Sequence, residues 1–409
     1  MSGLPTAPDT EIGFQPPPSF ASPIGRVGKG ILPPVTPVLG EVPIHFNPVI
    51  ILLTGYLEKA EPGGLDKAVA SAYEQIPEFM DKLKIHDSRS FLIFANDLLK
   101  WIPTESYEGK DIYNILCMFY FVMDQPPLKD LQTEINPEEV GQPLTWLSSW
   151  MVVYAQLIGL FMDTPASITP DSLQTFKDSP KYNYEEALVP PDGFRTFNEF
   201  FYRKLKPGAR PISKPEKDEV IVYPADCTYD NSVSNQSIVD VQSDGHIYIK
   251  GLPWTISSLL QGSEFAECFH GGVWMHAFLN AFNYHRQHTP VSGTVIEVKN
   301  IQGACYLEVN SKCEPFLQTR GLCVIENKTL GKVAVLPIGM AQVSSVNMTV
   351  KVGDELKKGD EISYFAFGGS DIICVFQPQA NLKPEDFVAS SDGTYSKMGT
   401  VLARAPKVV

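Results

Sequence analysis

Three short segments hold residue types that can do chemistry together: Tyr223-Pro224-Ala225-Asp226, Tyr284-His285-Arg286-Gln287-His288-Thr289-Pro290, and Phe367-Gly368-Gly369-Ser370. Singly, each has an ordinary structural reading. Gly-Gly-Ser is usually a loop, and Asp after Pro-Ala is turn chemistry. A His pair spaced by three reads as a metal pair only with further ligands, and the sequence offers no such set, so no metal is expected. Together the segments supply a hydroxyl, an imidazole base and a carboxylate, the parts of a nucleophilic triad, whose geometry does not depend on chain order. The context of Ser370 departs from the hydrolase elbow G-x-S-x-G, because Asp371 stands where that motif needs Gly. Two preceding glycines suit another reaction, attack of the Ser370 hydroxyl on the carbonyl of Gly369, which carries no side chain to obstruct the approach and accepts a strained backbone. The amide becomes an ester, elimination cuts the chain into 1–369 and 370–409, and the former Ser370 is left as a pyruvoyl group. A pyruvoyl carbonyl can form a Schiff base with a substrate amine and draw off the electrons released when carbon dioxide leaves, so the expected reaction is decarboxylation.

The elements that must position these residues fall into two regions. Residues 1–45 form a Pro-rich arm, with Pro16, Pro17 and Pro18 in a row, too poor in apolar residues to order itself. Residues 46–165 read as a helical domain. Leu65, Val69, Ala72, Ile76, Phe79 and Leu83 recur at intervals of three and four and predict one helix face. Ser88 is placed to cap a second helix carrying Phe91, Phe94, Leu98 and Trp101. A third runs through Tyr113, Leu116 and Val122. Leu144 to Met162 carries no charge and approaches the ~20 residues of a bilayer span, but Thr145, Ser148, Ser149 and Gln156 interrupt it and no basic flank follows, so a buried helix is expected. Residues 166–194 collect prolines and read as a linker.

From 195 to 409 the pattern is mainly β, with strand-like runs at 219–224, 245–250, 293–298, 303–309, 332–338, 343–351, 361–367 and 371–377. The fold class is therefore α+β, a helical N-terminal domain followed by a mainly β catalytic domain. The turns at Gly353-Asp354 and Lys357-Lys358-Gly359-Asp360 suit tight connections. They put Gly369 and Ser370 just beyond a strand end, where a bend is expected.

The chain resembles the phosphatidylserine decarboxylase family over roughly residues 195–380. The resemblance rests on Phe197-Asn198-Glu199-Phe200-Phe201 with Arg203, on Leu205-Lys206-Pro207-Gly208-Ala209-Arg210-Pro211-Ile212, and then on the Asp226, His285/His288 and Gly369-Ser370 segments in the family's order. It implies a pyruvoyl cofactor made from Ser370 by self-cleavage at Gly369-Ser370. It also implies that His288, with Asp226, activates Ser370, and that His285 assists decarboxylation or protonates the carbanion. Three positions depart from the family pattern: Asn283 where Asp is common, Cys227 where Gly often follows the Asp, and Asp371 where Thr or Ser follows the cleaved Ser. A carboxylate at 371 is expected to slow cleavage or repel an acidic substrate, and it is the main support for a third reading, a non-cleaving, non-catalytic remnant of the family.

The helical N-terminal region and the run Phe278-Leu279-Asn280 are similar to the soluble fungal branch that decarboxylates aromatic amino acids such as tryptophan. Trp274, Phe278 and Phe282 are candidate pocket residues, with core packing the competing reading for each. A formal charge of −14 and no dense Lys/Arg run exclude nucleic acid as an expected partner. Seven scattered cysteines without a C-x-x-C pair argue against a disulfide framework and for a reducing, cytoplasmic setting. With neither a credible membrane anchor nor a basic surface run, a free amino acid is the expected substrate. The alternative is a membrane lipid, phosphatidylserine decarboxylated to phosphatidylethanolamine. A lid over the site and the surface of a homo-oligomer are equally open roles for the helical domain.

Overall fold

In a computed structural model, which describes residues 45–229, 237–249, 251–305, 316–340, 345–367, 369–388 and 395–406, the spacing from Leu65 to Leu83 makes two helices rather than one. They are Gly64–Gln75 and Pro77–Lys82. The break belongs to Pro77, whose ring disfavours helical geometry in the residue before it, and Ile76 sits at φ −137°, ψ 54°. The cap of the next helix, Ser88–Leu98, is Asp87 rather than Ser88. The Asp87 side chain accepts from the Ser90 N–H, and the Ser90 hydroxyl accepts from the Asp87 N–H, closing a capping box. Trp101 lies past that helix's end. Pro48–Ala60 and Asp111–Met123 complete the packing around Trp146–Met162, a helix of 17 residues capped by Thr145. This last helix is held from within: Trp150 Nε1 donates to the Val49 carbonyl at 2.9 Å and the Tyr154 hydroxyl to the Ala95 carbonyl at 2.5 Å. Among the described residues no helix is long and apolar enough to cross a membrane.

The β region is built on one antiparallel sheet. Its order runs Glu355–Leu356, Gly293–Ile301, Arg320–Asn327, Gly331–Met340, Gly369–Phe376, Val273–Leu279, Cys227–Thr228, Tyr395–Ser396, with Ile238–Asp240 also pairing to Val273–Leu279. A three-stranded sheet of Val346–Met348, Glu361–Phe365 and Arg286–His288 stands apart from that path. Strand alternation gives the large sheet two apolar faces. Ile372, Cys374 and Phe376 belong to a cluster that continues through Phe197, Phe200, Phe201 and the N-terminal helices, so helices and sheet bury one shared core. Ile373 and Val375 face a second cluster around Trp254 and Phe316. The α+β expectation holds.

Two local expectations change. Of the expected strand at 303–309, residues 306–309 lie outside the described ones, and Ala304 makes only an isolated bridge to Gln318. Gly369 and Ser370 are not on a bend after a strand; they open the Gly369–Phe376 strand. The strand begins there because both neighbours extend that far. Met340 is the register partner of Gly369, while Gly339 and Leu279 flank Ser370. The preceding strand already ends at Phe365.

Candidate active site

The two histidines sit on a short strand and the residue before it. His288 ends Arg286–His288, and its N–H donates to the Pro224 carbonyl at 2.7 Å, which ties the histidine strand to the segment leading into Asp226. Its Nδ1 lies 2.8 Å from the Gly359 carbonyl and its Nε2 3.0 Å from the Tyr284 hydroxyl. A carbonyl can only accept, so Nδ1 carries the proton and the Nε2 lone pair receives the Tyr284 O–H. Burial lowers the pKa of His288 and raises that of the Tyr284 phenol. The outcome is a neutral imidazole with a free base function held on a protonated phenol. Gly359 makes this arrangement at φ +90°, where a side chain would also collide with Ile212.

His285 is fully buried and stacks on Phe201, ring centroids 3.9 Å apart and 18° from parallel. Its carbonyl accepts from the Phe365 N–H at 2.9 Å, while neither ring nitrogen finds a hydrogen bond among the described residues. Burial, helped by the nearby Arg203 charge, lowers its pKa to about 3, so the ring is neutral at ordinary pH. The nearest polar groups are backbone ones, at Asn283, Phe201 and Asn280, and they only partly offset the cost of burying the ring.

Asp226 is also fully buried, but it does not touch either histidine. Arg210 grips it at both oxygens, Nε to Oδ1 at 2.8 Å and Nη2 to Oδ2 at 2.5 Å. The Met398 N–H donates to Oδ1 at 2.8 Å and the Tyr395 hydroxyl to Oδ2. Arg210 reaches Glu186 as well, at 2.7 Å. The job that triad logic gives to the carboxylate, holding the imidazole tautomer, is therefore done by the Gly359 carbonyl. Asp226 acts on His288 through charge at a distance, favouring its protonated form.

The lead-in to Ser370 is fixed by Asn198, one of the residues that carry the family resemblance. Asn198 is fully buried; its Oδ1 accepts from the Phe367 N–H at 2.8 Å, and its Nδ2 donates to Asp163 at 2.8 Å and to the Gly159 carbonyl at 3.4 Å. Phe367 itself packs edge-on against Phe197, Phe201 and Trp101 at 5.2, 5.5 and 5.9 Å. Full burial of such a ring is worth ~1.5–3 kcal/mol. Phe201 thus stacks face to face on His285 and meets Phe367 edge-on. An Asn set among four phenylalanines in a buried segment was the available signal, since a buried amide must find partners.

Asp371 Oδ2 lies 3.0 Å from His276 Nε2, out of line for a hydrogen bond, and strand alternation sets Asp371 on the opposite face from Ile372 and Cys374. Its register partner on that face is Phe278. Of the other candidate pocket residues, Trp274 is fully buried in the second cluster and lies 5.4 Å from the His276 ring. Phe278 and Phe282 pack against the shared helix-sheet core, Phe282 against Tyr182.

A family model described as phosphatidylserine decarboxylase matches residues 197–404, half of the chain. Among curated relatives, phosphatidylserine decarboxylase proenzyme 2 of Oryza sativa subsp. japonica is 39% identical over 57% of this chain and 37% of its own length. The chain thus spans little more than a third of that relative. Phosphatidylserine decarboxylase proenzyme of Chlamydia trachomatis is 34% identical over 54% of this chain and 73% of its own length. Decarboxylase iboD of Amanita muscaria is 29% identical over 64% of this chain and 83% of its own length. With Asn198, Arg210, Asp226, His285, His288 and Ser370 all inside the matched stretch, the chain belongs to the phosphatidylserine decarboxylase family, whose members are pyruvoyl-dependent carboxy-lyases.

Proposed function

We propose that this chain cuts itself between Gly369 and Ser370 and then, as a pyruvoyl-dependent enzyme, decarboxylates the serine head group of phosphatidylserine. The observation that carries the reading is the placement of Gly369-Ser370 at the start of a central strand, with the buried His285 linked to its lead-in through Phe201 and Phe367. The names of the rice and Chlamydia relatives supply the substrate.

In self-cleavage His288, neutral and with its Nε2 lone pair available once Tyr284 yields it, takes the hydroxyl proton of Ser370. The oxygen attacks the Gly369 carbonyl and the amide C–N bond gives way to an ester. Loss of the 370 Cα proton then breaks the ester's Oγ–Cβ bond and releases the Gly369 carboxylate. Water replaces the nitrogen, which leaves as ammonia, so one water is consumed and one ammonia released. The residues fit the group that results: Asn198 and the Phe367 cluster hold the lead-in, and His285 is a buried, neutral imidazole stacked on Phe201, which also packs on Phe367. The group supplies an electrophilic carbonyl that takes the substrate amine and draws off the electrons left when carbon dioxide departs. His285 excludes water from this region and moves a proton at the substrate α-carbon.

A second reading, a free aromatic amino acid as substrate, is favoured by iboD, named only as a decarboxylase, whose match covers more of the chain than the family model does. Purified protein incubated with phosphatidylserine vesicles and, separately, with tryptophan and other free amino acids tests both. Carbon dioxide from vesicles is the expected result; release from free amino acids alone gives the case to the second reading.

A further inference from the structure

The helix Trp146–Met162 precedes the stretch shared with the family model, yet it forms one wall of a cleft whose facing wall ends at Ala366, three residues before Gly369. The cleft is about 360 Å³ and is lined by Gly159, Leu160 and Asp163 on the helix side and by Asn198, Tyr364 and Ala366 across from it. Ala366 lies three residues before Gly369, so at ~3.6 Å per extended residue the cleft wall comes within about 11 Å of the scissile carbonyl's residue. Asn198 belongs to both places: one end of its amide faces Asp163 in the cleft and the other holds the Phe367 N–H.

The chemistry of the lining is selective. Asp163 is exposed, caps the helix C-terminus, and has no cationic partner within 4 Å among the described residues. The partial negative charge of a helix C-terminus adds to its own, so a cation is favoured there. Leu160, 64% exposed, and the Tyr364 ring give apolar surface next to that charge. The volume is at the small end for ligand pockets, ~300–1,000 Å³, which suits an amino-acid-sized group and not a pair of acyl chains.

We propose that this cleft admits the α-amino-acid portion of the substrate, its ammonium drawn by Asp163, on the way to position 370. The inference rests on the decarboxylase reading and adds the entry site and its recognition element. An α-amino carboxylate is common to a free amino acid and to the serine head group of a lipid, and the two sources are separated by the probes below.

Gly159 offers the test. A Cβ built there meets nothing within 4 Å, so a large side chain can be added without moving the helix, and it would fill the cleft. In full-length protein carrying Ser370→Ala, which stays uncut and has no electrophile, L-tryptophan and glycerophospho-L-serine are titrated by calorimetry. At least one probe should bind, with Gly159→Phe weakening it at least tenfold and Asp163→Asn weakening it several-fold. Melting midpoints of both variants, held near the parent's, show that the fold is intact. The probe that binds identifies the source of the amino-acid group. Binding of neither probe to the parent, or equal binding by parent and both variants, overturns the cleft assignment. Cleavage and carbon dioxide release by the wild-type chain would stand in either case, so failure here is distinct from failure of the decarboxylase reading.

Discussion

Burial of His285 makes a prediction about stability that can be worked through. Its ring is packed face to face on Phe201 without a hydrogen bond among the described residues, and its pKa falls from an ordinary 6.5 to about 3. As pH drops below 6.5 the unfolded chain takes up a proton at this position and the folded chain does not, so stability is complete above that value and declines on acidification toward 3. Between pH 6.5 and 5 the decline is 1.5 pH units at about 1.36 kcal/mol each, or about 2 kcal/mol. His288, also lowered by burial, acts in the same direction. Urea unfolding of the uncut Ser370→Ala chain at pH 6.5 and pH 5, with and without His285→Phe, isolates the contribution. The variant should lose about 2 kcal/mol less than its parent over this interval. Equal losses in the two would refute a buried, neutral His285.

The division of labour between the histidines is checked by denaturing gels and carbon dioxide release: His288→Ala should leave nearly all of the chain uncut, while His285→Ala should still cut at least in part and lose decarboxylation. The reverse pattern would exchange their roles. Asn198→Ala leaves the buried Phe367 N–H without its acceptor, a cost of about 1–3 kcal/mol, and should slow cutting in a time course of freshly made protein; unchanged stability and rate would remove Asn198 from the site. Asp371→Asn should cut at close to the parental rate, because the carboxylate lies against the His276 ring on the strand face opposite Ile372. A tenfold faster cut would show that the carboxylate restrains the reaction.

Much of this was readable in the residues. The three-and-four spacing marks the helical region, since Gly64–Gln75 and Ser88–Leu98 each bury one apolar stripe, and the Val/Ile-rich runs mark strands because they pack between two apolar layers. Pro77 marks the break between Gly64–Gln75 and Pro77–Lys82, while the apolar spacing runs on across it. The partners of the chemical groups were not legible, because they depend on distant backbone. No spacing rule points to the Gly359 carbonyl as the group that orients His288, seventy-one residues away. Nor does the sequence show that Arg210, Tyr395 and the Met398 N–H occupy Asp226 and leave the histidines without it. Asp371 is the residue expected to trouble Ser370, and no spacing rule shows that its carboxylate comes within 3.0 Å of His276 on the neighbouring strand. The uncharged run from Leu144 to Met162 predicts only a buried helix, and its end at Gly159 and Leu160, with Asp163 just beyond, becomes a cleft wall only when the Glu361–Phe365 strand and Ala366 come up against it.

The central claim, that Ser370 is consumed by the chain's own backbone chemistry, is tested most directly by denaturing mass spectrometry of freshly purified wild-type protein. Two chains dividing between residues 369 and 370, with a blocked N-terminus on the 370–409 fragment, is the predicted result. A single intact chain of 45.3 kDa would contradict it.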